Sequence, residues 1–480
     1  MSNHANGRSE STAPLALTGK IKPWALNGPS IQIDPLFPYY ANRSRDSIAD
    51  EIALAGYRTV HYFVVRENEV DAALVSAFQR RGMAVWAMVL GNGSFGVSQL
   101  PPEWKGWRME LLREPDDGFQ RLSHFAHEYV EWKKKAAARL VTDIPFDGFE
   151  VAEPYFPEWN GLRSGVYGDI GPHAQRAFRK RSGEDLPDFR DKHARNYYRK
   201  VPELYAQWVD LRVDAVNGLI GELVNGAGGV RDVRPDIYVA TWSLAVNGRG
   251  DVPGQLREWQ GLDAVAMIRS VAPDMHVLQT HWPDWMRRRL PPHYIRGYAR
   301  IAQSIRAAYP DLPLGVQADI GSLARMVRDR EWTRRFAAAA LEGGYAAWTA
   351  YEYHLGGYMY DEPPRPLRAE RTAADELIVS FSKRIATPSV DELRLWSREG
   401  ATGTTDTASH LSGTVSNDSL TPLELVDAVA DGNRLLLHIR HLPSRAFSLR
   451  LDGVQDTPER WLLKGRKGHR NLPKHEVEVP

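Results

Sequence analysis

The chain has 480 residues, 43% of them hydrophobic and 10% aromatic, the composition of a globular protein with one large core and room for a smaller one. Its 61 Lys and Arg balance 60 Asp and Glu, which excludes the basic bias by which proteins hold nucleic acid or anionic membranes. With no cysteine, disulfides, thiolate nucleophiles and Cys-ligated metals are excluded as well.

The first twenty residues, MSNHANGRSESTAPLALTGK, are polar and lack the apolar core of a secretory signal, and no run reaches the ~18 apolar residues of a membrane span. A cytoplasmic protein is expected, with residues 1–23 as a flexible N-terminal segment; a signal peptide already removed would leave no trace. From Gly28 to about Ile385, short apolar or β-branched runs alternate with longer helix-like stretches, the pattern of βα units and a parallel sheet. Eight strands are predicted: Ser30–Pro35, Thr59–Val65, Ala84–Leu90, Phe149–Glu153, Ile237–Trp242, His276–Thr280, Leu314–Ala318 and Ala346–Tyr351. Helices are predicted over Asp46–Ala55, Glu69–Arg81, Phe119–Leu140, Tyr197–Val224, Ile295–Ala308 and Glu331–Glu342, and LDAVAMIRSV (Leu262–Val271) reads as a further helix. Eight such units make an α/β fold of the (β/α)8 TIM-barrel type, placed at 24–386.

Beyond Ile385 the composition shifts. SREGATGTTDTASHLSGTVSNDSL is rich in Gly, Ser and Thr, and alternating runs such as ELRLW, RLLLHIRHL, FSLRLDG and HEVEVP flank it. They predict a small C-terminal antiparallel β domain over 387–480, capping the flank of the barrel.

In a (β/α)8 barrel the chemistry lies where strands end, so the residues just past each strand carry the functional information. Here those ends are acidic and aromatic: IDPLFPYY, VHYFVV, VLGNG, VAEPYFPEW, ATWS, QTHWPDW, QADIGS and TAYEYHLGGY. Taken singly, an Asp there is a helix cap and a Trp is core. Together they match a sugar-cleaving cleft, in which one carboxyl protonates the leaving oxygen, a second acts as nucleophile or base, and flat rings hold the sugar.

The stretch GFEVAEPYFPEWNG (Gly148–Gly161) supplies the first acid. Glu153 closes the fourth strand and is followed by Pro154, which ends regular pairing; Glu150 is the deeper rival, expected to act as a supporting partner. The second carboxylate is expected to be Asp319, with Asp284 and Glu352 as reserves. Expected substrate-binding residues are Asp34, His61, Asn92, Tyr155, Trp159, Trp242, His281, Trp282, Trp348 and His354, with Trp348 facing inward beside Glu352. His124, His127 and Glu128 have the look of metal ligands but fall near the start of an outer-layer helix and read as packed or solvated side chains. The basic runs Lys133–Lys135 and Arg287–Arg289 read as solvated faces.

The Glu153-Pro154 pair at the end of the fourth strand resembles the acid/base position of clan-A-type glycoside hydrolases, whose motif there is Asn-Glu-Pro. The following YGDIGPHAQRAFRKRSGEDLPDF is similar to the loop and helix after strand four in several barrel glycosidases. The resemblance implies that Glu153 is the acid/base. Two positions depart from it: Ala152 stands where the clan has Asn, and the seventh strand offers Gln317 and Asp319 rather than a Glu nucleophile. The expectation is therefore a divergent glycoside hydrolase or transglycosidase with no cofactor and no metal. Its partner would be a carbohydrate, without nucleic acid or membrane, and homo-oligomerisation is compatible with the composition. Two other readings use the same rim. One is a metal-dependent sugar isomerase, epimerase or amidohydrolase holding its ion with Asp34, His61, Glu153, His281, Asp284 or Asp319. The other is a non-catalytic carbohydrate-binding barrel.

Overall fold

The computed structural model describes residues 22–157, 160–319, 323–351, 357–399 and 420–480. Trp159, Glu352, His354 and most of the Gly/Ser/Thr-rich stretch lie outside them, as do residues 1–21 of the expected N-terminal segment.

Eight parallel strands close into a barrel, each paired with its neighbours in chain order and the eighth with the first. They are β1 (Gly28–Ile33), β2 (Thr59–Val64), β3 (Ala84–Leu90), β4 (Gly148–Ala152), β5 (Tyr238–Ala245), β6 (Met275–Thr280), β7 (Leu314–Asp319) and β8 (Ala347–Tyr351). All eight overlap the predicted runs. Alternate residues divide between two cores, as the two-residue period of a strand requires. Ile31, Val60, Val85, Phe149, Val239, Leu278, Val316 and Ala350 face the helix layer, whereas Trp86, Met88, Ala152, Tyr238, Ala240, Trp242, Met275, Val277 and Ala347 fill the lumen. Gly148 makes room there for the Trp86 indole: a Cβ at this position would lie 2.3 Å from the ring.

The outer layer includes α1 (Arg45–Leu54), α2 (Ala72–Arg80), α3 (His127–Asp143), α4 (Pro172–Ser182), α5 (Pro202–Asn225), α6 (Val252–Gln260), α7 (Ala264–Val271), α8 (Ala299–Ala308) and α9 (Arg330–Glu342). Side chains that satisfy free backbone N–H groups start several of them: Asp71, Asp251, Asp263 and Asp329 each cap a helix in this way. LDAVAMIRSV contains α7, the helix expected there, and Asp263 caps it. Helix α3 starts at His127, not Phe119. The Asp117-Gly118 pair turns the chain, with Gly118 at φ 72°, and Gln120–Arg121 then pairs antiparallel with Gly93–Ser94 to form a hairpin. Helix α5 starts at Pro202, whose missing N–H and fixed φ suit a first turn, rather than at Tyr197.

The antiparallel part comprises two four-stranded sheets. One joins β9 (Pro366–Ala373), β10 (Glu376–Phe381), β14 (Arg434–Arg440) and β13 (Glu424–Asp431); the other joins β12 (Thr421–Pro422), β11 (Arg394–Glu399), β15 (Phe447–Asp452) and β16 (Glu476–Val479). Two of these strands, β9 and β10, precede position 387 in the chain. Along β14 burial alternates residue by residue, with Leu435, Leu437 and Ile439 inside. They meet Leu449, Leu451, Val477 and Val479 of the second sheet in one core. Among the described residues no helix is long and apolar enough to cross a membrane.

Candidate active site

Glu153 follows the last residue of β4 and takes a left-handed backbone, φ 48°, which a non-glycine residue adopts at a cost of roughly 1–3 kcal/mol. That kink sets its aim. In a continued strand Glu153 would point away from the lumen, because Glu150 and Ala152 occupy the inward face. Instead its Oε1 lies 3.4 Å from Nε2 of Gln279, on β6 two strands away. Gln279 shares the inward face of β6 with Met275 and Val277, so Glu153 is turned over the mouth of the barrel.

Neighbouring loops hold this turn. Tyr155 donates its hydroxyl to Oε1 of Gln279 at 3.1 Å, and Asn92, buried past the end of β3, donates its amide to the Tyr155 carbonyl at 3.0 Å. Gly91 lets the two loops meet, since a Cβ there would fall 2.8 Å from the Pro154 Cα. Burial raises the Glu153 carboxyl above its ordinary range; the Gln279 hydrogen bond and the Arg121 guanidinium pull partly the other way. Arg121 reaches this neighbourhood on the hairpin after β3 and is itself held by Asp117 at 2.7 Å.

The remaining rim residues divide. Asp34 accepts a hydrogen bond from the Leu36 N–H at 2.9 Å, a local turn contact, and burial raises its carboxyl. Asp284 accepts from the Tyr298 hydroxyl at 3.0 Å, which ties it to the helix-side core, and burial raises its carboxyl too. His281 is buried, with its imidazole pushed down to about 3, so it is neutral at physiological pH. Trp282 is an exposed ring at this end, with 45% of its surface accessible. Asp319 ends β7, two residues beyond Gln317, whose side chain reaches across the lumen to Gln32 at 3.1 Å; the Asp319 side chain lies outside the described residues.

Four expectations require correction. His61 is a lumen core residue, not a rim residue. Its Nδ1 meets Glu150 at 2.6 Å and its Nε2 meets the Ser30 hydroxyl at 3.0 Å. Strands β2 and β4 are separated by β3, so the bond to Glu150 can only run through the lumen. Trp242 joins the same network by donating its indole N–H to Glu150 at 2.8 Å, and it is 1% exposed. A buried carboxylate needs such donors, and these two rings supply them. Trp348 faces outward against Tyr57 and Phe336, because β8 turns Ala347 into the lumen and strict alternation sends its neighbour the other way. Tyr155, expected as a sugar platform, is 8% exposed and its hydroxyl is used on Gln279.

Gln279 and Arg121 were missed. Gln279 had a signal, since it lies two residues before His281 at the end of a predicted strand, but an amide draws less attention than an acid. Arg121 had none, being placed in a helix by its sequence neighbours. His124 packs on Phe156 under the same loop, its imidazole pushed down to about 3 by burial and by Arg212. Among the described residues no three His, Asp or Glu come together to hold a metal ion.

No family model matches the chain, and no curated sequence matches it. Solved structures resemble it at low identity. One is an α-L-fucosidase isoenzyme 2 from Paenibacillus thiaminolyticus (11% identity, TM-score 0.41), where the match covers 68% of this chain and 46% of that one. The chain thus spans about half the length of that protein. A second is an endo-β-1,4-mannanase from Thermotoga petrophila (9%, TM-score 0.40; 95% and 98% covered). A third is a β-galactosidase from G. stearothermophilus (14%, TM-score 0.49; 68% and 51% covered). Likenesses this distant say nothing about substrate or mechanism. The closed parallel barrel and its strand-end carboxyl define the class: a (β/α)8 barrel protein with a candidate acid at its C-terminal mouth.

Proposed function

We propose that this protein is a glycoside hydrolase or transglycosidase in which Glu153 is the general acid/base. The observation that carries the reading is the kinked backbone that turns a half-buried carboxyl, made more basic by burial, over the barrel mouth. A raised carboxyl holds its proton to higher pH than an ordinary one, the direction in which a general acid must be tuned. Protonation of that oxygen, with cleavage of its bond to the anomeric carbon and capture of that carbon by the partner carboxylate or by water, leaves Glu153 ionised; it regains a proton from water, on hydrolysis of a glycosyl-enzyme or by exchange with solvent. Asp319, at the end of β7, is the proposed partner carboxylate, acting as nucleophile or as base toward water. Trp282 offers an exposed face for a sugar ring. The substrate is a neutral glycoside or oligosaccharide, and the protein acts in the cytoplasm.

The metal-dependent reading loses His61, which is committed to Glu150 and Ser30 in the lumen. The test of the leading reading is turnover by Glu153→Gln on a panel of unactivated glycosides. A fall of roughly 10²–10⁴-fold with unchanged folding is expected. Activity within a few-fold of the parent removes Glu153 from the mechanism, and a parent inactive on every glycoside that it binds makes the barrel a carbohydrate-binding one.

A further inference from the structure

The two carboxyl oxygens of Glu153 are not equivalent. Oε1 faces the Gln279 amide nitrogen at 3.4 Å, and that amide's own oxygen accepts the Tyr155 hydroxyl at 3.1 Å. The three side chains come from two different barrel elements: Glu153 and Tyr155 from the loop after β4, Gln279 from the lumen face of β6. Donors therefore run in one direction, from hydroxyl to amide to carboxyl, an order in which each bond polarises the next.

We propose that Gln279, oriented by Tyr155, is the positioning residue for Glu153, occupying Oε1 and leaving the transferable proton on Oε2. The proposal deepens the glycosidase reading and rests on it for the catalytic consequence, though not for the placement of the proton. The alternative amide orientation would put an oxygen against Glu153. An ionised carboxylate cannot tolerate that contact, and a protonated one would satisfy it only by turning its proton away to Oε1. An acid/base residue passes through both forms in each cycle, and the observed orientation serves both. When Glu153 gives up the Oε2 proton to the leaving oxygen, the Gln279 N–H is already in place to stabilise the carboxylate that remains. The long resting distance is what a site tightened by its substrate would show.

The charge that acts on Glu153 is that of Arg121, held by Asp117, and neither variant below touches that pair. The experiment is a carboxyl-carbon NMR titration of the full chain labelled at its glutamates, with the Glu153 signal assigned by its loss in Glu153→Gln. Gln279→Met removes the donor to the anion, so the Glu153 midpoint should move to higher pH, and the basic limb of kcat/KM should move with it. A loss on the order of tenfold in kcat is expected, with KM little changed. Tyr155→Phe, which keeps the ring and frees only the amide, should move the midpoint the same way by less, and it serves if Gln279→Met does not fold. A Glu153 midpoint that stays put in the folded variants overturns the assignment. Failure of the glycosidase reading is seen separately, as full activity in Glu153→Gln, and leaves the titration result standing.

Discussion

At the scale of single residues, Glu153 combines two costs in one residue: a left-handed backbone and a carboxyl desolvated by burial. Replacing it with Gly should relieve the first and remove the second. We expect Glu153→Gly to match or exceed the parent in thermal stability, by about 1 kcal/mol, while losing turnover. A clearly destabilised Glu153→Gly would mean that the side chain is there for packing. The carboxyl also fixes the sign of a pH effect. Its folded value lies above the ordinary 4.5, so the folded state holds the proton more tightly than the unfolded chain. The stability it contributes is complete below 4.5 and is lost as pH rises through the folded value. Denaturation of the parent and of Glu153→Gln across that window should show a downward slope with pH that is shallower in the variant; parallel curves would deny the shift.

At the scale of elements, the lumen is built as a mixed core. Apolar rings and methionines from β3, β5 and β6 surround a chain of polar contacts that runs from Trp242 to Glu150, then to His61 and Ser30. Four strands are tied together by it, and Glu150 is fully buried. The connectivity of Ser30, His61 and Glu150 has the order of a nucleophilic triad, but burial below the mouth makes it a framework. Ser30 also donates to the Trp348 carbonyl, so its proton is spent on the backbone of β8. Glu150→Ala would strand the His61 imidazole and the Trp242 N–H in a dry lumen, and a loss of about 3 kcal/mol or more in chemical denaturation is expected. A loss under about 1 kcal/mol would show that the network is idle. The same logic explains which rim residues could be read in advance. Strand ends are marked by Pro154 and by the change from alternation to turn residues, so the position of Glu153, Asn92 and Trp282 past strand ends was legible. Which way a ring faces depends on register, and one residue of offset moved Trp348 from the mouth to the helix layer.

At the scale of the whole molecule, the antiparallel part is joined to the barrel by polar contacts as well as by Trp461, which is buried in the barrel-side core. Asp50 on α1 accepts from Arg368 at 2.5 Å and from Ser380 at 2.9 Å. Arg384 donates to the Tyr39 carbonyl at 2.5 Å, and the Tyr39 hydroxyl donates to Glu51 at 2.5 Å. Lys383 is buried against Asp456 at 2.6 Å, beneath the Trp461 ring, and also donates to the carbonyls of Met359 and Glu362. Separating the parts would take these partners from the buried Ser380 hydroxyl and the Arg384 guanidinium, so the two should unfold together. Calorimetry of the full chain is expected to show one transition. Asp50→Ala should lower it as a whole, by about 1 kcal/mol, chiefly for the buried Ser380 hydroxyl left unsatisfied, since Arg368 is partly exposed and also pairs with Glu370. Two resolved transitions, with Asp50→Ala moving only one, would show that the sheets are independent.

The sequence by itself determined the barrel, because eight apolar runs separated by helical spacing admit few other closed arrangements, and it marked Glu153 because a proline stops the strand just after it. Tertiary structure alone decided what surrounds that acid. Gln279 lies 126 positions from Glu153 in the chain, and Arg121 arrives on a hairpin that its local sequence disguises as helix. His61 and Trp242 were drawn into the lumen by Glu150, a partner that neither could reveal in its own neighbourhood. Strand formation depends on local periodicity, which is written in consecutive residues. The direction of a side chain depends on register and on partners brought together by closure of the barrel, and closure is a property of all eight strands at once.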